Sequence, residues 1–244
     1  EKKPKGSKSS GSIETISVEE KMEFYQCIES RRSCRSFLPK AVDKQTVTKI
    51  LEAANRSASY MNTQPWEVFA VLGEKRDNLA KKLLEAAGSG TTPHPDLAFP
   101  KEWPGHIEKR AKEHRLRRFK ALGIDPNDTE RVRQSAQRNY EFYGAPCVLF
   151  LGMEKSLTPW SIFDLGLFTT SVLLAAQAEG LGGCPQALPM GFPDPIRSEL
   201  GIPPTISLIL AISMGYPDME AAVNQYRSTR REVSEFVQWF GPNE

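Results

Sequence analysis

The chain has 244 residues, 39% of them hydrophobic, which suffices for one large domain or two small ones and excludes disorder over most of its length. The formal net charge is only +2, yet residues 1–10 carry four lysines against one glutamate, and residues 101–138 carry eleven basic residues against six acidic ones. Four cysteines show no CxxC pair and no zinc-like spacing with histidine, so we predict no metal site and a reduced, cytoplasmic setting.

The N-terminal segment does not resemble a signal peptide. Residues 1–16 are rich in Lys, Pro, Gly and Ser and lack an apolar h-region, and we interpret them as a flexible basic tail. The longest apolar run, 165–178, is interrupted by Thr, Ser and Gln, so we interpret it as too short and too polar to span a bilayer. We therefore expect no membrane partner and a single domain over residues 17–244.

Helical spacing of apolar residues predicts a first helix over 17–29, capped by Ser17, and a second over 43–55. A strand is predicted over 67–72 and a helix over 75–87. Beyond Gly88 the composition turns to Gly, Thr, Pro and His and then to charged residues.

Two helices with many charges are predicted over 105–122 and 128–144. Neither continues the apolar patterns of the segments before it. We interpret the whole stretch 88–144 as an excursion from the core.

Core-like sequence returns at Ala145. Strands are predicted over 148–151 and 206–212, and helices over 161–179 and 195–200, with a turn-rich connection at 180–189. Few strands among long helices favour an α+β sandwich over a regular doubly wound sheet. The aromatic residues of 224–240 would be awkward in a free tail, so we expect that segment to pack on another surface.

The usual catalytic motifs are missing from this sequence. All three histidines fall in the excursion, and there is no G-x-S-x-G, Walker A or H-E-x-x-H motif. The Gly180-Leu181-Gly182-Gly183 run follows a predicted helix, whereas a dinucleotide fingerprint must follow a strand, and we interpret it as a helix C-cap.

Arginines beside small hydroxyl residues form two clusters, Arg31-Arg32-Ser33-Cys34-Arg35 and Arg227-Ser228-Thr229-Arg230-Arg231. Guanidinium groups bind phosphate in bidentate fashion and a serine hydroxyl adds a neutral donor. A solvated helix end whose arginines pair with glutamates is the alternative for the first cluster. Two clusters in a chain whose remaining body is acidic favour convergence on one anionic ligand.

Five motifs together resemble the FMN-dependent nitroreductase family in order and approximate spacing. They are Arg31-Arg32-Ser33-x-Arg35-x-Phe37, Asn62-Thr63-Gln64-Pro65-Trp66, Gly180-Leu181-Gly182-Gly183-Cys184-Pro185-Gln186, Gly215-Tyr216-Pro217 and Arg227-Ser228-x-Arg230. The resemblance spans about residues 24–241, without the excursion. It implies an α+β three-layer sandwich with a mostly antiparallel central sheet flanked by helices, in an intertwined homodimer with FMN in two interfacial sites.

The resemblance also assigns residues. Arg31, Arg32 and Ser33 would hold the FMN phosphate and ribityl chain, with Arg230 and Arg227 closing over the phosphate. Arg35 would lie near the N1 and O2 edge of the flavin and support its reduced, anionic form.

Two further segments would complete this cofactor site. The second subunit would contribute Ser59, Tyr60, Met61 and Asn62, and the backbone facing N5 would come from Pro185, Gln186, Ala187 and Leu188. Tyr60 and Met61 are bulkier than the Ser or Thr of many relatives. Trp66 is interpreted as a packing residue, and the excursion as a cover for the second flavin face.

The resemblance implies ping-pong electron transfer from NADH or NADPH through FMN to a small aromatic acceptor, such as a nitroaromatic or a quinone, with no obligatory protein acid or base. One alternative is another reaction on the same flavin fold, such as reductive dehalogenation or dehydrogenation. Another is a nucleic-acid-binding protein that uses the basic tail and excursion, but acids interleaved at helical spacing are typical of a solvated face. We therefore expect no nucleic-acid partner.

Overall fold

The computed structural model describes residues 18–241, with side chains from residue 24 onward. The predicted basic tail at 1–16 and the predicted cap Ser17 lie outside the described residues. Within them, four strands form one sheet: β1 (Glu67–Leu72), β2 (Cys147–Glu154), β3 (Gly182–Gln186) and β4 (Ile206–Gly215). Their spatial order is β1-β2-β4-β3 and every neighbouring pair is antiparallel, as predicted.

Helices cover both faces of the sheet, which confirms the predicted three-layer α+β sandwich. Helices α2 (Lys44–Ala54) and α6 (Pro159–Ala178) pack on one face, and α3 (Gly73–Gly88) and α7 (Pro193–Leu200) lie on the other. The first hydrophobic core lies between the sheet and α2 and α6, and the second lies between the sheet and α3 and α7. Strand β2 contributes to both cores because successive side chains point to opposite faces. Its Leu149 and Leu151 join the first core, and Val148 and Phe150 join the second.

The predicted connection at 180–189 is partly wrong, because residues 182–186 form β3 at one edge of the sheet. Two glycines allow this strand to fit. A Cβ on Gly182 would lie 2.4 Å from the Cys34 sulfur, and one on Gly183 would lie 2.6 Å from a Leu173 methyl. Close packing on both sides therefore selects glycine at positions that resemble a turn in the sequence.

Helix α6 has 20 residues and is, among the described residues, the one helix long and apolar enough to cross a membrane by length and composition. The interpretation of this region as too short and too polar for a span is thus wrong on both counts, by length and by composition alone. Its Leu165, Phe168 and Val172 are buried in the first core, which is the pattern of a core helix. Trp160 and Phe163 on its other side are exposed.

The excursion contains α4 (Gly105–Ala121) and α5 (Thr129–Gln137). Helix α5 ends seven residues before the predicted end at 144, because Phe142 and Tyr143 turn with φ of 54° and 56° and bury their rings. Helix α4 packs on α8 (Ala222–Gln225), near the C-terminus. The remaining helix, α1 (Val18–Ser30), packs on α6 and leads directly into the first arginine cluster.

Candidate functional site

The first arginine cluster lies along the open edge of β3. Ser33 forms a parallel bridge with Gly183, and the Cys34 N–H donates to the Gly183 carbonyl at 3.1 Å. Cys34 is buried, whereas Arg31, Arg32 and Arg35 are half-buried. The strand edge therefore holds the backbone while the arginine side chains reach partly into solvent.

Asn224 in α8 joins this segment to the C-terminal part of the chain. Its fully buried side chain accepts the Arg35 N–H at 2.7 Å and donates to the carbonyls of Ser36 and Asp218, both at 2.7 Å. Its own carbonyl accepts from Arg32 Nη1 at 2.9 Å. We did not predict this residue, and an asparagine in the otherwise unremarkable Ala-Ala-Val-Asn-Gln run gives no signal that could have found it.

A cavity of about 410 Å³, here called the 31–35 cavity, collects both arginine clusters. The predicted site residues that line it are Arg31, Arg32, Ser33, Arg35, Arg227 and Arg230. Among the described residues, Glu29 is the one carboxylate in its lining. The predicted convergence of two distant segments is therefore present in the structure, and the cavity carries a clear excess of positive charge.

Several of these arginines also have structural partners. Arg227 donates to the carbonyls of Glu29 and Ser30 at 2.9 and 3.3 Å, which satisfies carbonyls at the C-terminal end of α1. Arg230 donates to the Ser228 hydroxyl at 2.7 Å. Arg31 makes no side-chain hydrogen bond or ion pair with residues 24–241. Each guanidinium has five N–H donors, so all of them retain capacity for an anion.

His114 of α4 lies over the 31–35 cavity and shares a 3.1 Å hydrogen bond with the Tyr226 hydroxyl. Burial lowers the pKa of His114, and the nearby charges of Arg35 and Arg118 lower it further. Burial also raises the pKa of the Cys34 thiol. The lowered pKa makes His114 a weaker base than a free imidazole, and the raised pKa keeps the Cys34 thiol protonated and weakly nucleophilic.

The segment Ser59–Asn62 lies away from the 31–35 cavity and packs on α6. It forms a short 3₁₀ turn in which Met61 and Asn62 have φ of 48° and 57°, and both Asp164 carboxylate oxygens accept the Tyr60 N–H at 3.2 Å. Asp164 is buried and was not predicted. None of residues 59–62 lines the 31–35 cavity, so a single chain does not bring this segment to the arginines.

Trp66 packs as predicted, stacked on Phe168 with ring centroids 4.7 Å apart and with its indole N–H donating to Asn55 at 3.1 Å. In the 185–188 segment, the Gln186 amide is buried: it donates to the Asn139 carbonyl at 3.0 Å and accepts from the Ser213 hydroxyl. The Gln186 side chain therefore faces the core, whereas Ala187 and Leu188 of this segment are exposed.

The fold and the cavity together define an α+β protein with an arginine-lined cavity beside an edge strand of an antiparallel sheet. The model of the nitroreductase family matches residues 28–216, and the chain belongs to this family. Nitroreductase NfnB of Mycolicibacterium smegmatis is 34% identical over 211 residues, covering 85% of this chain and 88% of the relative. The predicted family and fold are thereby confirmed.

Three further comparisons extend this finding. The crystal structure of the FMN-dependent nitroreductase NfnB from Mycobacterium smegmatis in complex with NADPH has a TM-score of 0.87 and 32% identity, covering 91% of this chain and 99% of that chain. A 4-nitrobenzoate reductase of Pseudomonas putida is 29% identical over 90% of this chain and 96% of its own length. An iodotyrosine deiodinase of Thermotoga neapolitana is more distant, at 24% identity over 80% of this chain and 89% of the relative.

Proposed function

We propose that the protein is an FMN-dependent oxidoreductase that uses NADH or NADPH to reduce nitroaromatic or quinone-like acceptors. The observation that carries the proposal is the convergence of both arginine clusters on the 31–35 cavity in a chain of this family. Relatives whose names refer to FMN, NADPH and nitrobenzoate support it. The deiodinase relative is more distant, which places dehalogenation second.

The residues of the 31–35 cavity fit the phosphate of FMN. Arg31 and Arg230 offer guanidinium groups without an acidic partner among the described residues, and Ser33 adds a hydroxyl. Arg31 is half-buried and Arg230 is exposed, so both can reach a ligand from solvent. A phosphate monoester accepts bidentate guanidinium bonds, which suits it to this pair of arginines.

Bound FMN would supply the two-electron chemistry, so no protein acid or base is required. A nitro group would take up two electrons and two protons, one proton arriving with the hydride of NAD(P)H and one from water, and would leave as a nitroso group and water. Arg35 would contribute a fixed positive charge beside the ring, because Asn224 holds its N–H and its guanidinium donates to the Ser33 carbonyl at 3.3 Å.

A homodimer would complete the site. Aromatic side chains of α1 and α6 and of the 59–62 turn are exposed in the single chain: Phe24 and Tyr25, Trp160 and Phe163, and Tyr60 at 63% exposure. Tyr60 also stacks on Trp160 at 6.2 Å, which links the turn to α6. We infer that this face is buried against a second copy, which brings Ser59–Asn62 of one chain to the 31–35 cavity of the other.

The excursion would cover the flavin and influence the choice of acceptor. Tyr143 and Phe119 are buried, whereas Trp103 and His106 are exposed and free to contact a ligand or the second subunit. The basic excursion also contains ion pairs at helical spacing, Glu113 with Arg117 at 3.7 Å and Glu130 with Arg133 at 2.6 Å. These pairs are typical of a solvated face and favour an enzyme over a nucleic-acid-binding protein.

The cysteines support a reducing compartment, and we propose a cytoplasmic location. All four are free thiols, and Cys34, Cys147 and Cys184 are buried. Burial raises the pKa of Cys147 to about 12, so this thiol is inert.

The double variant R31A/R230A tests the flavin assignment. Each charge-assisted bond contributes roughly 1.5–3 kcal/mol, so we expect FMN affinity to fall by at least about a hundredfold and the purified protein to lose its flavin absorbance. The matched control is R56A/K81A, which removes two exposed charges elsewhere. Undiminished flavin content in the double variant would refute the phosphate assignment.

The spectrum of the unmodified protein tests the function itself. We expect a flavin band that bleaches on anaerobic addition of NADPH and returns when a nitroaromatic is added. A colourless protein that takes up no added FMN would overturn the proposed function.

A further inference from the structure

A second cavity, of about 610 Å³, lies between the excursion helices and the core and is here called the excursion cavity. Leu84, Leu122, Ile124 and Val223 form its apolar wall together with the ring of Tyr143. Flat apolar walls of this kind suit an aromatic ring. The volume is ample for a single substituted ring.

The polar part of the excursion cavity is strongly cationic. Its lining contains Arg35, Arg118, Arg131 and Arg138 against one carboxylate, Glu141. None of these four arginines forms an ion pair within 4.0 Å with the residues that the structure describes. Pocket linings with several cations and few acids favour negatively charged ligands.

Arg118 and Arg138 are the arginines most available to a ligand. Arg118 extends from α4 and is half-buried, and burial together with the charge of Arg35 lowers its pKa. Arg131, by contrast, donates to the Gly123 carbonyl at 2.9 Å and fixes the turn between α4 and α5. A partly desolvated guanidinium without a counter-charge is the arrangement that an incoming carboxylate stabilises.

Arg35 lines both cavities. Its guanidinium lies 6.0 Å from the centroid of the Tyr143 ring, so it stands between the phosphate site and the apolar wall. A ligand in the excursion cavity would therefore adjoin the end of the cofactor site marked by Arg35. That position suits an electron acceptor.

We propose that the excursion cavity binds the acceptor by a negatively charged end, with Arg118 and Arg138 on an aryl carboxylate and the ring on the apolar wall. The inference rests on the proposed function and names its substrate class: nitroaromatic carboxylates in preference to neutral nitroaromatics. The cationic lining, and not the flavin, sets this preference.

The first test compares 4-nitrobenzoate with its neutral methyl ester. We expect the protein to prefer the acid in kcat/KM by about tenfold or more, and R118Q and R138Q each to lose about 10- to 100-fold on the acid with little change on the ester. The matched control, K112Q, removes an exposed charge from the same helix and should leave both values unchanged. Arg138 is exposed, so R138Q carries the test even if R118Q fails to fold.

A binding measurement removes the dependence on turnover. Benzoate titrated by calorimetry into the flavin-loaded protein, with no electron donor present, should bind, and R118Q and R138Q should weaken it about tenfold or more; benzamide serves as the neutral ligand. Equal affinity for benzoate and benzamide in the unmodified protein would overturn the inference and leave the flavin function intact. Loss of FMN from R118Q and R138Q would also overturn it, because the cavity would then belong to the cofactor.

Discussion

At the scale of single residues, the buried polar side chains organise the site more than the arginines themselves do. Asn224 connects three backbone segments through its side chain, and Asp164 fixes the Ser59–Asn62 turn to α6. Both are short polar residues that are buried. Such residues persist in a core only when their hydrogen bonds are satisfied, and here the partners are backbone groups that the sequence does not mark.

N224A should destabilise the fold and weaken FMN binding together. The change removes the hydrogen-bond partner of the Arg35 N–H and of the Asp218 carbonyl, whereas the Ser36 carbonyl keeps the Asp218 N–H. We therefore expect a loss of about 2–4 kcal/mol in the free energy of unfolding and a fall of roughly 5–10 °C in Tm. Thermal denaturation and flavin content measure the two effects. The exposed neighbour gives the control Q225A, and equal Tm values for the two variants would contradict the role of Asn224.

At the scale of elements, two histidines of the excursion contact other parts of the chain, His94 at Asp194 of α7 and His114 at Tyr226, and their electrostatic environments are opposite. His114 of α4 faces arginines, and its pKa lies below the usual value near 6.5. The ring nitrogens of His94, before α4, form hydrogen bonds with the Thr92 carbonyl and, at 3.0 Å, with the Asp194 carboxylate. These contacts raise the pKa of His94. The nearby carboxylate of Asp96 raises the pKa of His94 further.

These shifts predict opposite pH effects on stability. A lowered folded-state pKa means that the unfolded chain binds more protons, so His114 contributes a loss of stability as the pH falls through about 6.5. A raised pKa means that His94 contributes stability at low pH, which is lost as the pH rises through its folded pKa. We expect the drop in Tm between about pH 7.5 and pH 5.5 to be smaller in H114N and larger in H94N. Identical drops in both variants would contradict the assigned environments.

At the scale of the whole molecule, the proposed dimer links the apolar face on α1 and α6 with the proposed cofactor site. Residues 59–62 belong to that face and not to the 31–35 cavity of the same chain. The proposed dimer would bury the face and complete the site at once. Cofactor binding and dimerisation should therefore depend on each other.

F163E combined with W160E should dissociate the proposed dimer. Burying one large apolar side chain contributes roughly 1.5–3 kcal/mol, and a buried carboxylate adds a further cost, so we expect the dissociation constant to rise by more than about a hundredfold. Sedimentation velocity measures the oligomeric state, and N78E on exposed α3 surface is the control. We also expect flavin loss in the double variant; a dimer that persists with its flavin would place the interface elsewhere.

Much of the architecture follows from the sequence alone. Apolar periodicity predicted β1 with the bounds that the structure has, and it predicted α2, α3, α6 and α7 to within a few residues at each end. It succeeded because burial of one face of a strand or one stripe of a helix imposes a periodic pattern of apolar residues. Arginine beside serine predicted an anion site, and the structure brings the two clusters to one cavity. The family resemblance supplied the expectation of FMN and of a dimer, which no local pattern encodes.

Tertiary structure alone decided the rest. Strand β3 exists because Gly182 and Gly183 fit between Cys34 and Leu173, and such close approach depends on partners far away in the chain. Asn224 and Asp164 could not be predicted for the same reason, since a hydrogen bond to a distant backbone group leaves no periodic pattern in the sequence. The sequence by itself therefore determined the layers and the chemistry of the site, whereas long-range packing determined which side chains hold that site together.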